Sequence, residues 1–170
     1  MISDITLKTA INAIIRETFP KCHLYGQGDV EGYKYPAIWH ELRLSEMKDA
    51  TLNTFQKTYM SVIQYIPEEH RSEADDLRFY KVFRDAMCCV DDRNRSRKMC
   101  FKVTDDDDES DRYIKIDSMS NGYVGESLDI FEINFTYSFY DFKAAVNPEP
   151  IIEDVDVEVE VKERSYNGTA

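Results

Sequence analysis

The side chains with the most chemical potential in this sequence are few, and their spacing gathers them into no reactive set. The histidines are His23, His40 and His70, and the cysteines are Cys22, Cys88, Cys89 and Cys100. A nucleophile needs a base within hydrogen-bond reach and a third group to orient that base. His40 alternates with Ile38 and Leu42 in "AIWHELRL", which predicts a hydrogen-bonded core residue on the covered side of a strand. A catalytic role for it would require a partner that no local spacing supplies. Cys88 and Cys89 are adjacent on a predicted helix, so they point in different directions, and no CxxC or Cys/His pair has zinc spacing. Reduced thiols of the core are the expected reading. No serine occupies a GxSxG elbow.

Two further stretches invite a chemical reading. The run "DDDDESD", residues 105–111, is rich enough in carboxylates to suggest calcium. Calcium loops need spaced oxygen ligands and a glycine for the sharp turn. Here the acids are consecutive and glycine is absent, which predicts a solvated loop. "YGQGDVEGYKYP" carries Gly26, Gly28 and Gly32 but lacks the lysine-Ser/Thr pair and following helix of a phosphate loop. Its acids would repel phosphate. The expectation is therefore a protein that is not an enzyme, with no metal and no cofactor.

Interaction chemistry remains. The chain holds 11 tyrosines and 9 phenylalanines. Tyr140 and Phe142 fall beyond the core parity of their strand, while Tyr33 and Tyr35 lie in a loop. Exposed aromatics of this kind concentrate at protein interfaces, although they can also complete a modest core. Near the end, "DVDVEVEV" (residues 154–161) alternates without a slip. Val155, Val157, Val159 and Val161 would line one side of a strand and the acids the other. It follows "NPEP" and reads as an arm that adds a strand to a neighbouring subunit or partner. The other readings are a strand completing its own sheet edge and a solvated tail.

The elements that must position these residues follow from periodicity. Asp4 is placed to cap a helix over residues 5–18, with Leu7, Ala10, Ile11, Ile14, Ile15 and Thr18 on one face and Lys8, Asn12 and Arg16 in solvent. Phe19-Pro20 ends it. A short strand at residues 22–25 and a turn-rich loop lead to strands over 37–46 and 53–66, joined through "MKDAT" as a hairpin. A second helix is predicted from Ser72 or Glu73 to about Cys89, with Leu77, Tyr80, Phe83, Met87 and Val90 inward. "DDRNRSRK" reads as a loop, followed by strands at 99–103 and "RYIKID", and a turn at Gly122 and Gly125. The strongest strand spans 128–142, with Ile133, Phe135, Tyr137 and Phe139 on one parity. The expected architecture is α+β: two helices packed on one face of a mainly antiparallel sheet, with an extended C-terminal arm. Residues 1–146 form the domain and 147–170 the acidic arm.

With 170 residues, the chain can bury a sizeable core. Its apolar runs are too short to span a bilayer, and "MISDITLKTA" lacks the layout of a signal peptide, so a cytosolic protein with no membrane contact is expected. The net charge of −12 disfavours general nucleic-acid binding, which needs clustered Lys and Arg. The one basic cluster, "RNRSRK" at residues 93–98, reads as a solvated loop, with a patch for an acidic partner or passing DNA as the alternative.

The succession of a helix, "YGQGDVEGYKYPAIWHEL", "TYMSVIQYIPEE", the helix "ADDLRFYKVFRDAM" and "DIFEINFTYSFYDFK" resembles the tail terminator (tail completion, head–tail joining) proteins of long-tailed phages and of phage-like particles of Gram-positive bacteria. The resemblance spans residues 5–143. It implies a virion structural protein, assembled in the host cytoplasm, that caps the head-proximal end of the tail tube as a homo-hexameric ring. The implied partners are other copies of itself, the tail tube protein, the neck or connector protein, and the sheath and tape measure proteins. DNA would enter only as cargo passing through the lumen. The family carries no catalytic residues to transfer, and the alternating arm is not part of its pattern. Another neck component, such as a head-completion or stopper protein, and an acidic DNA-mimic inhibitor are the competing expectations.

Overall fold

A computed structural model describes residues 2–26, 32–68, 72–91, 96–104, 111–126 and 129–142. The element order is α1 (Asp4–Thr18), β1 (His23–Tyr25), β2 (Ala37–Thr51), β3 (Thr54–Ile66), α2 (Glu73–Ala86), β4 (Cys88–Asp91), β5 (Ser96–Thr104), β6 (Asp111–Val124) and β7 (Ile130–Phe142). The strands form one seven-stranded sheet in the order β1-β2-β3-β7-β6-β5-β4. β1 joins β2 parallel and the other pairings are antiparallel, so the α+β fold has a mixed sheet. This corrects the antiparallel expectation at one edge. The chain between β1 and β2 returns far enough for the His23 amide to reach the Pro36 carbonyl (2.9 Å), which aligns the two strands in one direction.

α1 begins one residue earlier than its acidic signal suggested. Ser3 is the N-cap and its hydroxyl accepts from the Thr6 amide at 3.1 Å. Asp4, the expected cap, instead accepts a hydrogen bond from the Tyr59 hydroxyl on β3 (2.6 Å). Leu7, Ile11 and Ile15 are buried as expected, and Phe19 closes the helix ahead of Pro20. In α2 the buried aromatics are Phe79 and Phe83, followed by Met87 after the last turn, whereas Leu77 is 47 % exposed. The i, i+4, i+8 row of large side chains fills more of the core than a row starting at Leu77 would. Cys88 and Cys89 are not helical. They open β4, which pairs with β5 through Cys88–Met99 and Cys89–Lys98.

One sheet face supplies Ile38 and His40 from β2, Tyr59, Ser61, Ile63 and Tyr65 from β3, and Phe131 through Phe139 at alternate positions of β7, all buried. Both helices feed the same apolar cluster. Phe79 stacks on Tyr65 with ring centroids 4.2 Å apart, and Phe83 meets Phe135 at 5.9 Å. The opposite face carries short polar ladders: Thr58 with Ser138 (3.1 Å), Ser118 with Thr136 (2.6 Å) and Gln64 with Glu132 (2.8 Å).

Several turns predicted from polarity are strand. "MKDAT" lies within β2, and the hairpin reverses at Leu52 and Asn53. Ser96 to Lys98, expected in a loop, begin β5, and Gly122 lies inside β6. Each segment is polar on both faces, so its pairing left no apolar alternation to read.

Candidate assembly surface

The residues with chemical potential are placed apart. His40 is fully buried; its Nδ1–H donates to Asn12 Oδ1 (2.6 Å), leaving Nε2 as an acceptor toward the Ser61 hydroxyl (3.5 Å). Burial first, and the charge of Lys8 second, lower its pKa from 6.5 to about 4. The ring is thus a neutral strut between α1, β2 and β3, as the alternation predicted. Asn12, expected in solvent, is its partner. All four cysteines are free thiols, and the Cys89 thiol, pushed up to about 12 by burial, donates to the Cys100 carbonyl. Among the described residues no three His, Cys, Asp or Glu side chains gather to hold a metal. No described helix is long and apolar enough to cross a membrane. Residues 105–110 of the acidic run lie outside the described residues, and Asp111 opens β6, where Lys102 holds its carboxylate (2.6 Å) and lowers its pKa.

The prominent surface feature is the outer half of the β2–β3 hairpin. From Arg43 onward β2 is exposed throughout. Leu44 and Met47 are about half exposed and Leu52, at the turn, is 92 % exposed. The strand register sets Tyr140 against Gln56 and Phe142 against Thr54, so the two exposed aromatics of β7 flank the same hairpin. Leu44 and Met47 register with Tyr59 and Lys57 on the core-side face, whereas Tyr140 and Phe142 project from the opposite face. Both faces of this end therefore carry exposed apolar side chains on paired backbone rather than on a loop.

A buried ionic cluster lies beside the hairpin near its turn, where Asp141 pairs with Phe55 of β3. Asp141, 1 % exposed, accepts from Lys57 Nζ at 2.9 Å and from the Ile2 amide at 3.3 Å, with Arg112 Nη1 3.7 Å away. Arg112 also donates to the Tyr140 carbonyl (2.6 Å). One carboxylate therefore ties β3, β6, β7 and the chain ahead of α1. A buried charge is tolerable only when paired and hydrogen-bonded to this degree.

The other predicted pair of aromatics lies far off. Tyr33 is half-buried, edge-on to Tyr25 (4.8 Å), and Tyr35 is exposed just ahead of β2. Ala37 pairs with Ile66, whereas Phe142 pairs with Thr54, so the two aromatic groups sit at opposite ends of β3. At the usual strand rise that separation is about 40 Å. Val155, Val157, Val159 and Val161 lie outside the described residues. Sequence reasoning missed Leu44, Met47, Leu52 and the Lys57–Asp141 pair. A leucine in a polar turn was the only signal of the tip, and a buried ion pair leaves no local periodicity.

A protein-family comparison carries this surface to an identity. The profile described as "Phage tail terminator protein" matches residues 6–108, from the first turn of α1 past the end of β5, and includes the whole hairpin. Comparison with curated proteins returns no match. The match covers more than half of the chain; the protein belongs to the phage tail terminator family, and is a structural component of the phage tail.

Proposed function

We propose that this protein closes the head-proximal end of the tail tube as a ring of six identical copies and joins that end to the neck or head connector. The observation that carries the reading is the pair of separated aromatic surfaces on one rigid sheet, the hairpin end with Tyr140 and Phe142, and the β1–β2 end with Tyr35. A ring between two unlike neighbours needs a different surface for each, and copies that close head-to-tail need unlike flanks. In this reading the hairpin end, with Leu44, Met47 and Leu52, takes the tail tube protein. The Tyr33–Tyr35 end takes the connector. Sheath and tape measure proteins are further contacts of the same neck region. The acidic balance suits a lumen through which DNA slides without sticking. Assembly in the host cytoplasm and residence in the virion neck follow from the role.

Electron microscopy of purified protein mixed with its tail tubes tests the proposal. A six-fold cap at one tube end is expected. Tubes left open, with the protein found instead on the head connector, would assign it to another neck component. A monomer that competes with DNA for a nuclease would make it a DNA mimic.

A further inference from the structure

Among the described residues, β5 is covered along only half of one edge. β4 pairs with Ser96 to Met99, and the last contact on that side is the Cys100 amide donating to the Met87 carbonyl (3.1 Å). Strand alternation turns the amides and carbonyls of Lys102 and Thr104 the same way as those of Cys100, toward a side where no strand lies among the described residues. Beside that edge runs an open groove of about 590 Å³ against α1, lined by the apolar Ile5, Ala10, Ala13 and Ile14 together with the polar Thr6, Thr9, Glu17, Lys102 and Thr104. An uncovered edge next to an apolar flank is a template for one more strand.

We propose that residues 151–161 of the same chain fill this groove as an eighth strand, antiparallel to β5, and so complete a Greek key. β5, β6 and β7 are three consecutive antiparallel strands, and a fourth lying beside the first gives the recurrent order 4-1-2-3. Direction and reach agree. β7 ends at Phe142, at the same end of the sheet as Thr104, because Arg112, the pairing partner of Val103, also holds the Tyr140 carbonyl. Crossing β6 and β5 to the free edge takes three strand spacings, about 14 Å. The eight residues 143–150 span up to roughly 28 Å when extended. A chain leaving β7 there and reversing runs antiparallel to β5 without any further turn.

The chemistry of the two sides also agrees. Val157 and Val159 lie along the four-residue free edge and face the apolar flank of α1, and Val155 and Val161 share their parity beyond its two ends. Asp154, Asp156, Glu158 and Glu160 then fall on the outer sheet face, where Lys98, Lys102 and Lys115 are exposed. Lys102 already holds Asp111 (2.6 Å), so the arm extends an existing charge ladder. The short free edge, Phe101 to Thr104, pairs with about four residues of the arm.

Amide hydrogen exchange read by NMR tests this on the full chain and its Val157→Asp/Val159→Asp variant. In the wild type the Lys102 and Thr104 amides should exchange at least tenfold more slowly than in the variant, with the Ile63 and Phe135 amides unchanged. Equal exchange at Lys102 and Thr104 in the two chains would overturn the proposal. Protection that appears only at concentrations where copies associate would give the groove to a neighbouring copy's arm and overturn the assignment within one chain. Should the variant unfold, contacts between the Val157 and Ala13 methyls of the wild type decide directly, and their absence rejects the eighth strand.

Discussion

At the residue scale, two buried polar groups show opposite uses of the interior. His40 is kept neutral by burial, whereas Asp141 is paired with Lys57 and accepts from the Ile2 amide. The folded-state pKa of His40, about 4, lies below its ordinary 6.5, so its contribution is fully present above pH 6.5. As the pH falls from 6.5 toward 4, the unfolded chain takes up the proton first and about 3 kcal/mol of stability is lost. Urea unfolding at pH 7.5 and 4.5 should show that loss, and His40→Gln should remove its share of the pH dependence. Asp141→Ala is expected to cost about 3–5 kcal/mol, because Lys57 is left nearly buried without a counter-charge. A loss below about 1 kcal/mol in the same unfolding measurement would mean that water readily reaches Lys57. His40 was visible in the alternation of its strand, whereas Asp141 was not singled out, although it continues the parity of Ile133 to Phe139. Their partners were not visible, because Asn12 is 28 residues from His40 and Lys57 is 84 from Asp141.

At the element scale, the assembly role proposed for the hairpin can be tested separately from the stability that the helices supply. Phe83 is fully buried on α2 against Phe135, and Phe83→Ala should destabilise by about 3–5 kcal/mol through the cavity it leaves. Met47 and Leu52 are exposed on paired backbone, so Met47→Asp/Leu52→Asp should change stability by only about 0.5 kcal/mol while abolishing tube capping. Thermal unfolding alongside electron microscopy of capped tubes separates the two effects. A variant that still caps tubes removes the hairpin tip from the interface. The inward faces of α1, β3 and β7 were legible because large apolar residues recur at their periods. The outer hairpin was not, since strand pairing and one buried ion pair hold it, and neither leaves a periodicity in the sequence.

At the scale of the whole molecule, charge opposes self-association. Each copy carries a formal −12, so bringing copies together raises a repulsion that salt screens. If copies close into the proposed ring, mass photometry between about 0.05 and 0.5 M salt should show its population rising with ionic strength. A falling population would mean that ion pairs across the interface outweigh the net repulsion. The family match ends within the region between β5 and β6, yet β7 lies between β3 and β6 at the centre of the sheet. The matched portion therefore depends on a strand beyond it for its core.

The sequence by itself determined the α+β class, the two amphipathic helices, the aromatic strand β7 and the family, because each rests on local period or element order. The tertiary structure alone decided that β1 runs parallel to β2, that Phe79 rather than Leu77 points inward, and that among the described residues β4 pairs with only the first half of β5. These depend on which segments meet across the sheet, and contacts between residues distant in the chain impose no periodicity on either of them.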